Sequence, residues 1–152
     1  MDLEELIREF LPSKNVLQLA TSVNNQPWVC NVHYYSDDDL NMYWISTPQR
    51  RHSEEIKQNP RVAVVIKVHE NTPDQNYIIG LSAEGTAELA GRDLGQINEA
   101  YMKKLDKPAQ LMADIKDGSN PHEFYKFSPT KFVLFDTKNF PKEPRQEWKI
   151  EK

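Results

Sequence analysis

The sequence predicts a mainly β domain with peripheral helices. Three observations carry this expectation. Most apolar segments are short, rich in β-branched and aromatic residues, and bounded by polar turns. One segment, Tyr77–Leu89, is longer than an average strand and holds Gly80 and Gly85, which suits the bulges or bends that barrel closure needs. Helical patterns are few and interposed between the strands. The combination permits a small closed or split barrel.

In chain order, Asp2 can cap a first helix over Leu3–Leu11, whose Leu3, Leu6, Ile7, Phe10 and Leu11 form one apolar face; Pro12 then stops it. Asn15–Ser22 reads as a short apolar strand, and Asn24-Asn25 as the turn that follows. Trp28–Tyr35 alternates with semi-apolar residues on both sides, so something is expected to cover each face of that strand. Ser36–Asp39 is an acidic turn, and three strands with short polar turns suggest an antiparallel meander. After the polar loop His69–Asn76 comes the long strand, then helices over Arg92–Leu105 and, opened by Pro108, over Ala109–Ile115. Glu123–Phe127 and Lys131–Asp136 read as two strands flanking a Ser128-Pro129-Thr130 turn, and 138–152 as a Lys- and Pro-rich tail carrying Trp148.

The middle stretch, Leu40–Val68, carries the most chemistry. Leu40–Ile45 suits a buried strand, ended by Ser46 and Thr47; Pro48 then prevents an ordinary continuation. Arg50, Arg51 and His52 precede a helical segment over Ser53–Asn59, and Arg61–Val68 alternates as the next strand. Two hydroxyls, two guanidiniums and an imidazole therefore converge where a strand ends and a helix begins. Free N–H groups and the helix dipole favour an anion at such a point, and planar arginine suits phosphate. A solvated helix start whose charges pair with Glu54 and Glu55 fits the same spacing.

Other function classes find less support. The 152-residue chain is long enough for one domain and a real core. Its net charge of −4 lacks the basic excess of a nucleic-acid-binding surface. The single cysteine, Cys30, cannot form an internal disulfide and reads as a buried, inert thiol in a reducing compartment. No basic leader or long apolar run occurs, so a soluble cytoplasmic protein with no membrane span is expected. Asp37, Asp38 and Asp39 fit a solvated hairpin turn better than a metal cluster, and His33, His52, His69 and His122 have no zinc-ligand spacing; no metal is expected. Neither a nucleophile elbow nor a P-loop is present.

From Asn15 to Leu89, the order strand, Ser46-Thr47, basic cluster, helix, Asn59-Pro-Arg-Val-Ala-Val-Val-Ile66 resembles the pyridoxamine 5'-phosphate oxidase-like split β-barrels, which bind flavin mononucleotide (FMN). Gly80-Leu-Ser-Ala-Glu-Gly-Thr-Ala-Glu-Leu89 is similar to that family's long strand. Length and the Arg50–His52 cluster are most similar to a small bacterial subgroup. The resemblance implies one FMN-binding split-barrel domain. Its parts would be an N-terminal helix (1–12), a barrel core (15–89), a helical insert with the final strands (92–137) and the tail. It also implies a homodimer with two cofactor sites at the subunit interface. Arg51 and His52, with Arg50 beside them, would meet the phosphate; Ser46 and Thr47, after Ile45, would be neutral donors. Asn31, Val32, His33, Tyr34 and Ser82 would lie along the ring.

Two departures stand out. Many relatives have lysine where His52 stands and glutamine where Ser82 stands. Authentic pyridoxamine phosphate oxidases end in an Arg-containing segment that completes the substrate site, and Phe140-Pro-Lys-Glu-Pro-Arg-Gln-Glu-Trp-Lys-Ile-Glu-Lys152 does not match it. The resemblance thus implies flavin-dependent redox chemistry on an unknown small-molecule substrate, but not oxidation of pyridoxamine phosphate. FAD, a deazaflavin or haem are the alternative cofactors. The rival reading is a non-catalytic dimeric module for another anionic ligand or haem.

Overall fold

The structure is a computed structural model and describes residues 1–151. Helix α1 (Leu3–Phe10) starts with a reciprocal capping box: the Asp2 carboxylate accepts the Glu5 N–H, and the Glu5 carboxylate accepts the Asp2 N–H. A 3-10 turn over Leu11–Ser13 ends it at Pro12. Strands β1 (Val16–Val23) and β2 (Gln26–His33) form a hairpin. Asn24 and Asn25 both have positive φ, 53° and 63°, as a two-residue turn between twisted strands requires. Then come β3 (Tyr35–Ser36), β4 (Met42–Ser46), α2 (Arg51–Gln58), β5 (Arg61–His69), β6 (Ile79–Gly91), α3 (Gln96–Lys104), α4 (Ala109–Asp117), β7 (Glu123–Asp136) and β8 (Arg145–Lys149).

All strand pairs are antiparallel, in the order β2-β1-β5-β6-β7-β4-β3, with β8 also on β7. The sheet curls into a half-barrel, the split barrel that the sequence predicts. Alternation along β5 buries Val62, Val64 and Ile66, and turns Ala63, Val65 and Lys67 outward. The inward set joins Leu17, Leu19, Trp44, Leu81, Phe132 and Leu134 in the main core, with Leu6, Ile7 and Leu11 of the first helix packed against it. Each such side chain contributes roughly 1.5–3 kcal/mol by leaving water. A smaller core, Tyr43, Tyr101, Met112 and Phe124, seats α3 and α4 on the sheet.

Several boundaries differ from the sequence reading, and three of the differences bear on how the sheet and its helices pack. Helix α3 starts at Gln96 rather than Arg92, because Asn98 accepts the Leu94 N–H and donates to the Arg92 carbonyl, holding an irregular turn ahead of it. The tail is not without structure: β8 pairs along β7, and the Trp148 ring stacks on Phe132. The Ser128-Pro129-Thr130 turn is absent, and β7 runs unbroken through it. Along one edge β7 pairs with β6 throughout; along the other it meets β4 as far as Phe127 and β8 from Lys131. Pro129 falls where the pairing with β6 shifts register, an irregularity at which a strand tolerates proline.

At that point β6 shifts register between Glu84 and Gly85, and Gly85 faces Pro129. A Cβ on Gly85 would lie 2.1 Å from the Ser128 carbonyl oxygen, so only glycine fits there. Gly85→Ala should therefore lower unfolding free energy by about 1–3 kcal/mol, whereas Gly80→Ala, with open space at its Cβ position, should fall well short of that. Urea melts of the two variants decide it, and equal losses would remove the close approach as the reason.

Candidate functional site

The corner between β4 and α2 gathers the basic cluster. Helix α2 begins at Arg51, two residues earlier than the sequence suggests, because the chain turns at Pro48 and Gln49 and the Arg50 N–H bonds the Thr47 carbonyl at 3.2 Å. Arg50 becomes the N-cap residue, and Arg51, His52 and Ser53 occupy the first turn. Arginine is a poor cap, and no side chain caps this helix. The N–H groups of Arg51, His52 and Ser53 meet no acceptor among the described residues. The Ser53 hydroxyl is buried near Tyr125 without a hydrogen bond of good geometry. Two cations and several unpaired donors thus sit at the positive end of a helix dipole, an arrangement that favours an anion.

The side chains are tied down individually. His52 Nε2 lies 3.0 Å from Ser46 Oγ. Burial, and then the Arg50 charge, hold the His52 imidazole below its usual range, against a smaller opposing pull from Glu55. Burial and then Arg50 act on His122 in the same direction. Arg51 donates from Nε to Glu55 Oε2 at 2.8 Å, and its guanidinium lies 4.0 Å over the Trp28 ring. Glu55 is buried, and its other oxygen accepts from Thr21 Oγ1 at 2.6 Å. The Thr21 bond and then Arg51 keep that carboxyl below the usual carboxylate range.

Of the residues singled out in the sequence, Ser46, Thr47, Arg50, Arg51 and His52 come together here, with Ile45 half-buried on the strand leading in. The others lie elsewhere on the sheet. Val32 packs on the core. Asn31 points to the outer face, where it accepts from Gln18 at 2.7 Å. His33 borders a separate cavity beside Lys104 and Asp106. Tyr34 is fully buried, with its hydroxyl donating to the Leu11 carbonyl. Ser82 is exposed on the outer face, in the cross-strand row Asn31–Gln18–Val65–Ser82. Three strand spacings separate it from Asn31, about 14 Å.

Trp28, Thr21 and Glu55 are the additions the sequence did not single out as site residues. The Arg51–Glu55 spacing of four was a readable signal for an ion pair; the burial of Glu55 and the cross-strand Thr21–Trp28 pair beneath it were not. Cys30 is half-buried, with its thiol pushed up by burial, consistent with an inert role. Among the described residues no group of His, Cys, Asp and Glu is placed to hold a metal ion, and no helix is long and apolar enough to cross a membrane.

Solved structures share the fold. A conserved hypothetical protein, Rv2991 from Mycobacterium tuberculosis, is 18% identical over 93% of this chain and 88% of its own, with a TM-score of 0.75. An FAD-binding protein from Mesorhizobium loti is 22% identical over 87% and 92%, with a TM-score of 0.61. HutZ, the haem storage protein of Vibrio cholerae, is 19% identical over 85% and 91%, with a TM-score of 0.63. At these identities the likeness concerns the fold. No curated protein is significantly similar in sequence. The sequence model of the pyridoxamine 5'-phosphate oxidase family matches residues 3–135, nearly the whole barrel with its insert, and the chain therefore belongs to that family.

Proposed function

We propose that this protein binds FMN through the β4–α2 corner and serves as a flavin-dependent oxidoreductase on a small molecule. The observation that carries this reading is the uncapped first turn of α2, with Arg51, His52 and a buried, unsatisfied Ser53 hydroxyl around it. These donors suit a phosphate. Bound flavin would supply the electron or hydride step; the chain's part is to hold and orient it. In the β1–β2 hairpin, the Tyr34 N–H bonds the Asn15 carbonyl, so alternation leaves the backbone groups of Val29, Asn31 and His33 pointing away from β1. A polar strand edge of this kind suits the donors and acceptors of a flavin ring.

A homodimer belongs to the same reading. The sequence asks for cover on both faces of β2, yet within one chain Val29 is 59% exposed and Val65 and Phe135 are 39% and 42% exposed on the outer sheet face. A second copy on that face would cover them and bring its own Ser82 row towards the ring. The protein should sediment as a dimer at micromolar concentration, and Val65→Lys should shift it towards monomer and weaken FMN binding. A monomeric wild type that binds FMN fully would refute the interface site.

Arg51 should matter more than Arg50, which is exposed at the cap. Arg51→Ala should cost roughly 1.5–3 kcal/mol, about ten- to a hundredfold in dissociation constant, and Arg50→Ala clearly less. Titration with FMN measures both, and equal small losses would reduce the cluster to a solvated helix start.

His52 gives a pH test. A bound phosphate favours the imidazolium, so the His52 pKa is higher in the complex than in the free protein, where burial lowers it. Its contribution to binding is full below the free-protein value and lost as pH rises through the value in the complex. The phosphate gains charge over the same range, with a second pKa near 6, which opposes the trend in wild type. His52→Lys removes the ambiguity. It should bind FMN roughly tenfold more tightly at pH 8, with the gap narrowing by pH 6; no gain at pH 8 excludes His52 from the phosphate.

The second reading, a haem-binding module, is favoured by that same half-buried, neutral imidazole, since neutral histidine is an iron ligand. A Soret band on adding haem, with no flavin in the purified protein, would select it.

A further inference from the structure

If an anion binds at the start of α2, as proposed above, its grip depends on how Arg51 is held. Two pairs of residues hold it. On the helix, Arg51 and Glu55 are one turn apart and joined through Nε at 2.8 Å. Beneath them, Thr21 and Trp28 are direct partners across the β1–β2 hairpin. Thr21 binds the far oxygen of Glu55 at 2.6 Å, and Trp28 lies 4.0 Å under the guanidinium of Arg51. Each helix residue therefore rests on one member of a single cross-strand pair. Glu55 and Thr21 are buried, whereas the Arg51 side chain is 46% exposed. The ring supports the guanidinium from one side, and the carboxylate holds it at Nε. Both terminal nitrogens are left without an acceptor among the described residues.

We propose that Glu55 is a positioning residue that presets Arg51 as a fork for the anion. Simple electrostatics argues the other way. An ionised carboxylate this close to the site repels a bound phosphate, so removing it should tighten binding. Positioning reverses that sign. An unheld arginine spreads over many rotamers, and the anion must then order it at the cost of affinity. In this structure the ordering is done before the ligand arrives. The charge of Glu55 also keeps the two neighbouring arginines tolerable when the site holds no anion.

The test uses the whole chain, with FMN as the probe and riboflavin, which lacks the phosphate, as the control. Glu55→Ala should weaken FMN roughly three- to tenfold despite its added positive charge, and leave riboflavin unchanged. Glu55→Gln keeps an acceptor for Nε and loses the charge, so it should restore FMN binding to the wild-type level or better. Thr21→Val, which frees one end of Glu55, should give an intermediate, FMN-specific loss and answers the question if Glu55→Ala does not fold. Tighter or equal FMN binding by Glu55→Ala overturns the positioning role, as does a loss shared by FMN and riboflavin. A wild type that binds the two flavins equally overturns the anion site itself, and the role of Glu55 with it.

Discussion

The pairing of β6 with β7, at the middle of the sheet, depends on one backbone contact, the approach of Gly85 to Ser128 and Pro129. β7 has 14 residues and must serve two partners on one edge, β4 first and β8 afterwards. Its partner on that edge changes between Phe127 and Lys131. Pro129 sits at that handover, the Thr130 hydroxyl bonds the Glu84 carbonyl, and the register of β6 shifts opposite. A side chain at 85 would push the two strands apart. The consequence reaches the site, because β4 is held by the first half of β7: Ser46 pairs with Glu123 and Ile45 with Phe124. The end of β4, and so the start of α2, is placed by its pairing with the start of β7.

The electrostatics of the corner is a balance of unlike terms. Cations in the first turn of a helix work against its dipole, and here Arg51 and His52 occupy that turn. The molecule tolerates them in two ways. Burial, and then Arg50, oppose the charge of His52 and hold its imidazole below the usual range. Arg51 is matched by Glu55, whose burial is in turn made acceptable by two short bonds from Thr21 and Arg51. The positive charge actually available is therefore smaller than a count of three basic residues implies. Beside that charge the corner holds the unpaired N–H groups of the first turn of α2.

Much of this was legible in the sequence, and the failures have physical causes. Asn24-Asn25, the alternation of Arg61–Val68 and the glycines of the long strand announce a hairpin, a half-buried strand and a bulge, because each depends on local conformation. Pro129 misleads, because proline normally ends a strand; only the register shift opposite it, set by a partner far away in sequence, shows why the strand runs on. The start of α2 is not legible, because its cap residue, Arg50, has no capping side chain to mark it. The basic cluster was readable from spacing alone. Trp28 and Thr21 were not, since their part in the site arises from a strand passing under a helix more than twenty residues away in sequence.

Strand β2 links the fold to the site. As an edge strand it has free backbone groups, which in a soluble protein invite uncontrolled pairing. Pro27 removes one donor on that open side, at a position where alternation points its nitrogen away from β1. Trp28 is only 40% exposed because Arg51 lies across it. Together they blunt the turn end of the strand and leave Val29, Asn31 and His33 open. The covered end is where the helix is anchored, and the open end is where backbone donors and acceptors remain for a ligand or a second chain. The contact of Arg51 with Trp28 thus sets a covered end of the strand apart from an open one. Replacing Trp28 with a small residue would extend the open edge and release Arg51 at once, so the stability of the hairpin and the geometry of the corner are set by the same contact.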